Sequence, residues 1–209
     1  MKNRGSNMKK VIIIFLFLTG VFCMGGMYSA ADSADSRYYT ANDYYHMESE
    51  GGLHILSHYE TYQQTTEYSC GSAAALMVLN YYGIDGYDEL EICKLVGTDP
   101  ERGTTLEGLR DFLESLGFRL DYHADADLRF QSLKECEEYL IESIDRGAPV
   151  LVEWIDWYGH WQTIIGIDTC ETESLFDDVL IMADSLDIKV HRQLQGGKSC
   201  TGRSKGMCH

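Results

Sequence analysis

The stretch QTTEYSCGSAAALMVLNYYG, Gln64 to Gly83, places a cysteine and a glycine at the head of an apolar run that closes on another glycine. Such a run between a polar lead and a glycine predicts a helix over 70–82. Cys70 then stands at a helix N-terminus, where unpaired backbone amides stabilise a thiolate. The thiolate is the nucleophilic form of cysteine, so the position suits a reactive residue rather than a core filler. Gly71 leaves room for a carbonyl to approach the backbone, and Ser72, Ala73, Ala74 and Ala75 keep the first turn slim. Leu76, Leu79 and Tyr82 form the face that anchors this helix in a core.

Further helices follow, each closed by a glycine: 88–95 before Gly97, 105–116 before Gly117, and 133–146 before Gly147. TTLE, with Thr104 three residues before Glu107, and SLKE, with Ser132 three before Glu135, read as capping boxes. After Pro149 the texture changes to VLVEWI, HWQTIIGID and DVLIMAD, runs rich in β-branched and aromatic residues. Helices first and strands second predict an α+β domain. Its N-terminal helical half, carrying the nucleophile helix, packs on a C-terminal antiparallel β-sheet, with the cleft between the layers as the site.

A nucleophilic cysteine needs an imidazole, and the sequence has seven histidines to choose from. His46, His54 and His58 precede the nucleophile, His123 follows a short strand in an acidic stretch, and His191 and His209 lie near the C-terminus. Only His160 opens a core strand. Asp168 shares a face with it but is eight residues on, roughly 26 Å away at about 3.3 Å per residue. A hairpin turning about Thr172 instead sets His160 opposite Asp184, at the end of LIMAD. An oxyanion donor completes the set, and the side-chain amides just before the nucleophile are Gln63 and Gln64; spacing alone does not choose between them.

Taken together, Q-x5-C-G, a helix ending NYYG, a helical half, APVLVEW, GHW and a strand ending AD resemble family thirty-nine of the cysteine peptidases, a papain-like family. The resemblance runs from about Tyr59 to Asp187. It implies a papain-like cysteine peptidase fold, with Cys70 as nucleophile, His160 as general base and acid, Asp184 orienting His160, and Gln64 rather than Gln63 in the oxyanion hole. It implies a peptide or protein substrate and needs no metal or cofactor. One departure stands out: the family often continues Asp-Pro where this chain has Asp184-Ser185. The same scaffold also admits a peptide-binding module without catalysis, or an amidase or transpeptidase acting on cell-wall peptides.

The flanks differ from the peptidase-like segment, expected over 58–188. Residues 1–31 combine four basic residues (Lys2, Arg4, Lys9, Lys10), an apolar run and small residues, and read as an export signal cut near Ala31 or kept as an N-terminal anchor. Residues 32–57 read as an acidic, tyrosine-rich spacer with little fixed structure before Leu53, and 189–209 as a basic tail without fixed structure. GGKS in that tail is not a phosphate loop, because Arg192 stands where its first glycine must be. A formal charge of −16 disfavours nucleic acid and anionic membranes as partners. Contact with a membrane is expected only through an uncleaved signal, and the domain is expected to be a monomer. The cysteines show no CxxC pair and no disulfide-dense spacing; Cys93 and Cys136 read as buried on helix faces and Cys170 as structural, with a Cys93–Cys136 bridge left open. In the tail, Cys200, Cys208, His191 and His209 form only a weak metal-binding pattern.

Overall fold

A computed structural model of the chain describes residues 10–16, 43–123, 130–154, 159–186 and 203–205. Four helices form where the sequence places them: α1 Cys70–Tyr81, α2 Glu89–Val96, α3 Leu106–Ser115 and α4 Leu133–Asp145. Each is followed within two residues by a glycine of positive φ, the left-handed conformation that ends a helix at least cost. Ser132 caps α4 by accepting from the Glu135 amide at 3.2 Å, while the Glu135 carboxylate accepts from the Gln131 amide at 2.7 Å. At α3 the cap is Thr105, accepting from Gly108 at 3.1 Å, and not Thr104. Thr104 is drawn inward instead: it is buried, its hydroxyl meets that of Thr98 at 2.7 Å, and its carbonyl accepts the Trp161 indole N–H at 2.8 Å.

Helix α1 is buried around almost its whole circumference, with Ala73, Ala74, Ala75, Met77, Val78 and Leu79 fully enclosed. A helix apolar on every face belongs at a centre, and α1 lies against α2, α3 and the sheet. The slim first turn is what permits this packing. A Cβ on Gly71 would lie 2.6 Å from the Thr104 Cβ, so the space expected for a substrate carbonyl is filled by Thr104.

The strands are β1 Lys10–Leu16, β2 Leu53–Ile55, β3 Arg119–His123, β4 Val150–Trp154, β5 His160–Asp168, β6 Val179–Ala183 and β7 Arg203–Lys205. They form one sheet in the order β3-β1-β4-β5-β6-β7, and β2 pairs with β5 beyond the end of β4. The pairs among β2, β4, β5, β6 and β7 are antiparallel as expected, but β1 runs parallel to both β3 and β4. KVIIIFL, read as the apolar run of a signal, thus takes an interior place in the sheet. A continuous β-branched run meets the demands of a parallel strand as well as those of a signal, and periodicity does not separate the two. Two further segments differ from expectation. The spacer holds a short 3-10 turn at Tyr44–His46, and the tail supplies β7, whose pairing uses main-chain groups and so carries no hydrophobic signature.

The sheet divides two cores. Leu79, Ile92, Leu109, Leu113, Trp161 and Ile181 fill the one beneath α1, α2 and α3, while Leu140, Val150, Val152, Ile164, Leu180 and Met182 fill the one on the side of α4. Strand β5 serves both through an irregularity. Asp168, Ile167 and Gly166 pair with Val179, Leu180 and Ile181, but the next pair is Ile164 with Met182, then Thr163 with Ala183. Ile165 is the extra residue of a β-bulge, and the neighbours Ile164 and Ile165 are both fully buried, one in each core. Continuing the register past the bulge places Gln162 opposite Asp184, with His160 on the diagonal. The direct opposition of His160 and Asp184 expected from a turn about Thr172 is therefore corrected. The loop between β5 and β6 is centred further on, with Cys170 and Glu171 at positive φ.

Gly166 fixes the place of the bulge, because β2 crosses so close that a Cβ there would lie 2.8 Å from the His54 carbonyl oxygen. Gly166→Ala is expected to cost about 1–3 kcal/mol of stability by overpacking, read as a lower urea midpoint at unchanged m-value. An unchanged midpoint would mean that β2 yields without cost.

Candidate active site

Cys70 is the first residue of α1 and is 7% exposed. Ser69 precedes it as N-cap without capping through its side chain. Its hydroxyl donates instead to Glu89 Oε1 at 2.5 Å. Glu89, 2% exposed, also accepts the Thr65 amide at 2.9 Å and the Tyr62 hydroxyl at 3.0 Å. A carboxylate is expensive to bury unless donors surround it, and these three provide that. Glu89 thereby ties residues 62–69, the approach to Cys70, onto the start of α2. No spacing in the sequence marks Glu89 for this role; there it is one more acid in a first helical turn.

Gln64 lies within that tethered approach. Its Nε2 donates to the Thr66 carbonyl at 2.7 Å, its Oε1 accepts the Ser185 hydroxyl at 2.6 Å, and one amide N–H is left over. Gln63, the alternative, is exposed.

His160 and Asp184 come together from β5 and the end of β6. His160 Nε2 is 2.8 Å from Asp184 Oδ1, and both side chains are 18% exposed. The carboxylate takes two further donors, the Leu186 amide on Oδ1 at 2.8 Å and Gln162 Nε2 on Oδ2 at 2.6 Å. The Trp154 indole N–H donates to Gln162 Oε1, which settles the direction in which the Gln162 amide points. Gln162 and Trp154 escaped the sequence reading, although Gln162 sits two residues after His160 on one strand face, a spacing that could have drawn notice. Asp168 takes no part: at the far end of β5 it accepts the Cys170 amide at 2.8 Å. Two other histidines have partners elsewhere, His54 with Asp145 and His46 with Asp43.

The second imidazole nitrogen, Nδ1, is buried and makes no hydrogen bond, yet the Cys70 thiol is close enough to act on the ring's charge. Burial alone would lower the His160 pKa; hydrogen bonding and charge from Asp184, reinforced by Cys70, outweigh it and raise the pKa to about 9. Burial pushes Asp184 upward, but the His160 hydrogen bond and charge hold its carboxyl below the usual carboxylate range. Nearby on β4, burial and then the charge of Glu107 raise Glu153 to about 7. The structure thus brings His160, Asp184 and Cys70 into one electrostatic unit, and links Gln64 to it through Ser185.

The other described cysteines, Cys93, Cys136 and Cys170, are not in disulfides. The bridge left open between Cys93 and Cys136 is not formed. Cys136 is buried in the core beside α4 and Cys93 half-buried, whereas Cys170, read as structural, is exposed at the turn after β5. Cys200, Cys208, His191 and His209 lie outside the described residues.

A cysteine at a helix head, acted on by a strand histidine that a carboxylate holds from behind, is the arrangement that cysteine-dependent hydrolases use. Residues 58–145, 88 of the chain's 209, match the sequence model of the Peptidase C39 family. The match includes Gln64 and Cys70 and ends before His160 and Asp184. Among solved structures, the peptidase domain of Streptococcus ComA, described as a bi-functional ABC transporter involved in a quorum sensing pathway, is similar at 23% identity and a TM-score of 0.47, over 71% of this chain and 87% of that one. No curated protein matches the chain.

The raised His160 pKa carries a stability consequence. A folded-state value near 9 against 6.5 in the unfolded chain gives a contribution that is full below about pH 6.5 and lost as pH rises through about 9. The stability gap between the wild type and Asp184→Asn, measured by urea unfolding, should narrow between pH 6 and pH 10 by on the order of 3 kcal/mol. A gap that stays constant would show that the imidazole does not titrate differently in the fold.

Proposed function

We propose that this chain is a cysteine peptidase of the C39 type, hydrolysing peptide bonds with Cys70 as nucleophile, His160 as general base and acid, Asp184 as the group orienting His160, and the Gln64 side chain with the Cys70 amide as oxyanion donors. The observation that supports it most is the orientation of His160. Asp184 occupies Nε2, which leaves the buried Nδ1 as the nitrogen that can exchange a proton at the sulfur. In this reading the Cys70 thiolate adds to the carbonyl carbon, and the carbon–nitrogen bond breaks as His160 gives its proton to the departing amine. Water then adds to the thioester while His160 takes a proton. The sulfur–carbon bond breaks, releasing a carboxylic acid and restoring the thiol.

Two variants test the mechanism on the full-length chain with a peptide-library substrate. Cys70→Ala and His160→Ala should each lower kcat/KM by at least about a thousandfold. The alkaline limb of the wild-type pH profile should fall near pH 9, where His160 loses its proton. Retained cleavage in either variant, or a Cys70 that iodoacetamide alkylates no faster than a free thiol, would overturn the mechanism. Tight peptide binding without cleavage would mark a binding module instead.

The N-terminal basic and apolar segment leads us to propose export as well; cleavage near Ala31 would take β1 out of the sheet and leave β3 and β4 without the strand between them. Intact mass of the protein recovered from the producing cells should show a chain beginning near residue 32. A mass retaining Met1–Ala31 would exclude cleavage and leave the anchored form.

A further inference from the structure

Gln64 and Ser185 are 121 residues apart and meet twice. The Gln64 amide N–H donates to the Ser185 carbonyl at 3.0 Å, and the Ser185 hydroxyl donates to Gln64 Oε1 at 2.6 Å. Ser185 is 1% exposed and directly follows Asp184, so the strand end that steadies the imidazole also grips the approach to the nucleophile. A carboxamide has one accepting end and one donating end, and its terminal torsion is broad and roughly two-fold, so something must choose between the two orientations. The Thr66 carbonyl can only accept, which turns Nε2 toward it; the Ser185 hydroxyl holds Oε1 from the other side. One Nε2 hydrogen remains uncommitted.

We propose that Ser185 is a positioning residue for the reaction: its hydroxyl fixes the Gln64 carboxamide so that the uncommitted N–H is presented to the oxyanion. The inference rests on the reading of Gln64 as oxyanion donor. Where the resembling family often has proline after the aspartate, this chain has a hydroxyl, so the device belongs to this chain. Without that hydroxyl, Gln64 Oε1 loses its partner and the amide spends less time in the productive orientation. Outright loss of an oxyanion donor costs about a hundred- to a thousandfold, and loosening one should cost about tenfold.

The test needs no knowledge of the natural substrate. N-acetylglycinal, an aldehyde with no side chain to accommodate, adds reversibly to the Cys70 sulfur. The sulfur–carbon bond forms and the carbonyl oxygen, taking the electron pair and a proton, occupies the oxyanion site. Iodoacetamide alkylates the same sulfur by displacing iodide and develops no oxyanion. Protection of the full-length chain against iodoacetamide by the aldehyde yields the aldehyde affinity, while alkylation without aldehyde reports the thiolate.

Ser185→Ala should weaken aldehyde binding about tenfold and leave the alkylation rate within about twofold, while Ser185→Thr keeps the affinity. Gln64→Ala should weaken the aldehyde about a hundredfold, and adding Ser185→Ala to it should weaken it no further, because the hydroxyl acts through the amide. If Ser185→Ala lowers the melting temperature, Ser185→Val against Ser185→Thr compares the same shape with and without the hydroxyl. Unchanged aldehyde affinity in Ser185→Ala, equal losses with and without Gln64, or aldehyde binding and alkylation falling together would each overturn the role of Ser185. Unchanged aldehyde affinity in Gln64→Ala would instead overturn the oxyanion reading on which it rests.

Discussion

The single extra residue at Ile165 governs where the candidate site can exist. Side chains alternate along a strand, so a pairing register shifted by one residue moves a whole set of side chains to the opposite face. Between Asp168 and Gly166 the register with β6 would bring Asp184 opposite Thr163, on the face away from His160. The bulge shifts the register and brings Asp184 opposite Gln162, one diagonal step from His160. Both cores hold the bulge in place, since Ile164 and Ile165 point to opposite sides and are both fully buried. β2 presses on Gly166 from the edge. A feature of local backbone geometry therefore decides which carboxylate meets the imidazole.

Two carboxylates, Glu89 buried and Asp184 half-buried, organise the surroundings of Cys70 and His160, and they do so in the same way. Glu89 is surrounded by Tyr62, Thr65 and Ser69, and Asp184 by His160, Gln162 and Leu186. Among the described residues, no arginine or lysine supplies the compensation in either case; neutral donors and one imidazole do. Satisfied arrangements of this kind are rigid, because moving any one donor leaves an oxygen exposed to a large desolvation cost. The segment from Tyr62 to Ser69 is thus gripped at Thr65 and Ser69 by the helical layer and at Gln64 by Ser185 from the sheet. Cys70 is held by its surroundings as well as by its helix.

What the sequence disclosed follows from what leaves a local mark. Helix limits were legible because caps and left-handed glycines are written in single residues, and His160 was legible because it opens the strand HWQTIIGID. The choice of Asp184 over Asp168 followed from strand length, yet the pairing behind it was wrong by two positions. A bulge costs one ordinary residue, and only the glycine inside TIIGID hints at it. Thr104 and Thr105 are equivalent as letters; tertiary packing against Gly71 and Trp161 draws one inward and leaves the other to cap. The roles of Glu89, Gln162 and Ser185 left no local mark for a similar reason, since each owes its place to partners 20 or more residues away. The family match ends at residue 145, so the sheet half of the site rests on geometry.

The electrostatics of the proposed site point to where its proton can move. Asp184 already accepts three hydrogen bonds and its carboxyl is held below the usual range, so it is a poor proton acceptor and a good orienting charge. Gln162, kept in one orientation by Trp154, can only donate to it. His160 Nε2 is thereby committed to a donor's role in either protonation state, and every change of charge on the ring must pass through Nδ1. Burial opposes the imidazolium, and Asp184 and Cys70 together outweigh that penalty. In the proposed reaction the ring gives its proton to the departing amine from that one buried atom, Nδ1, without moving.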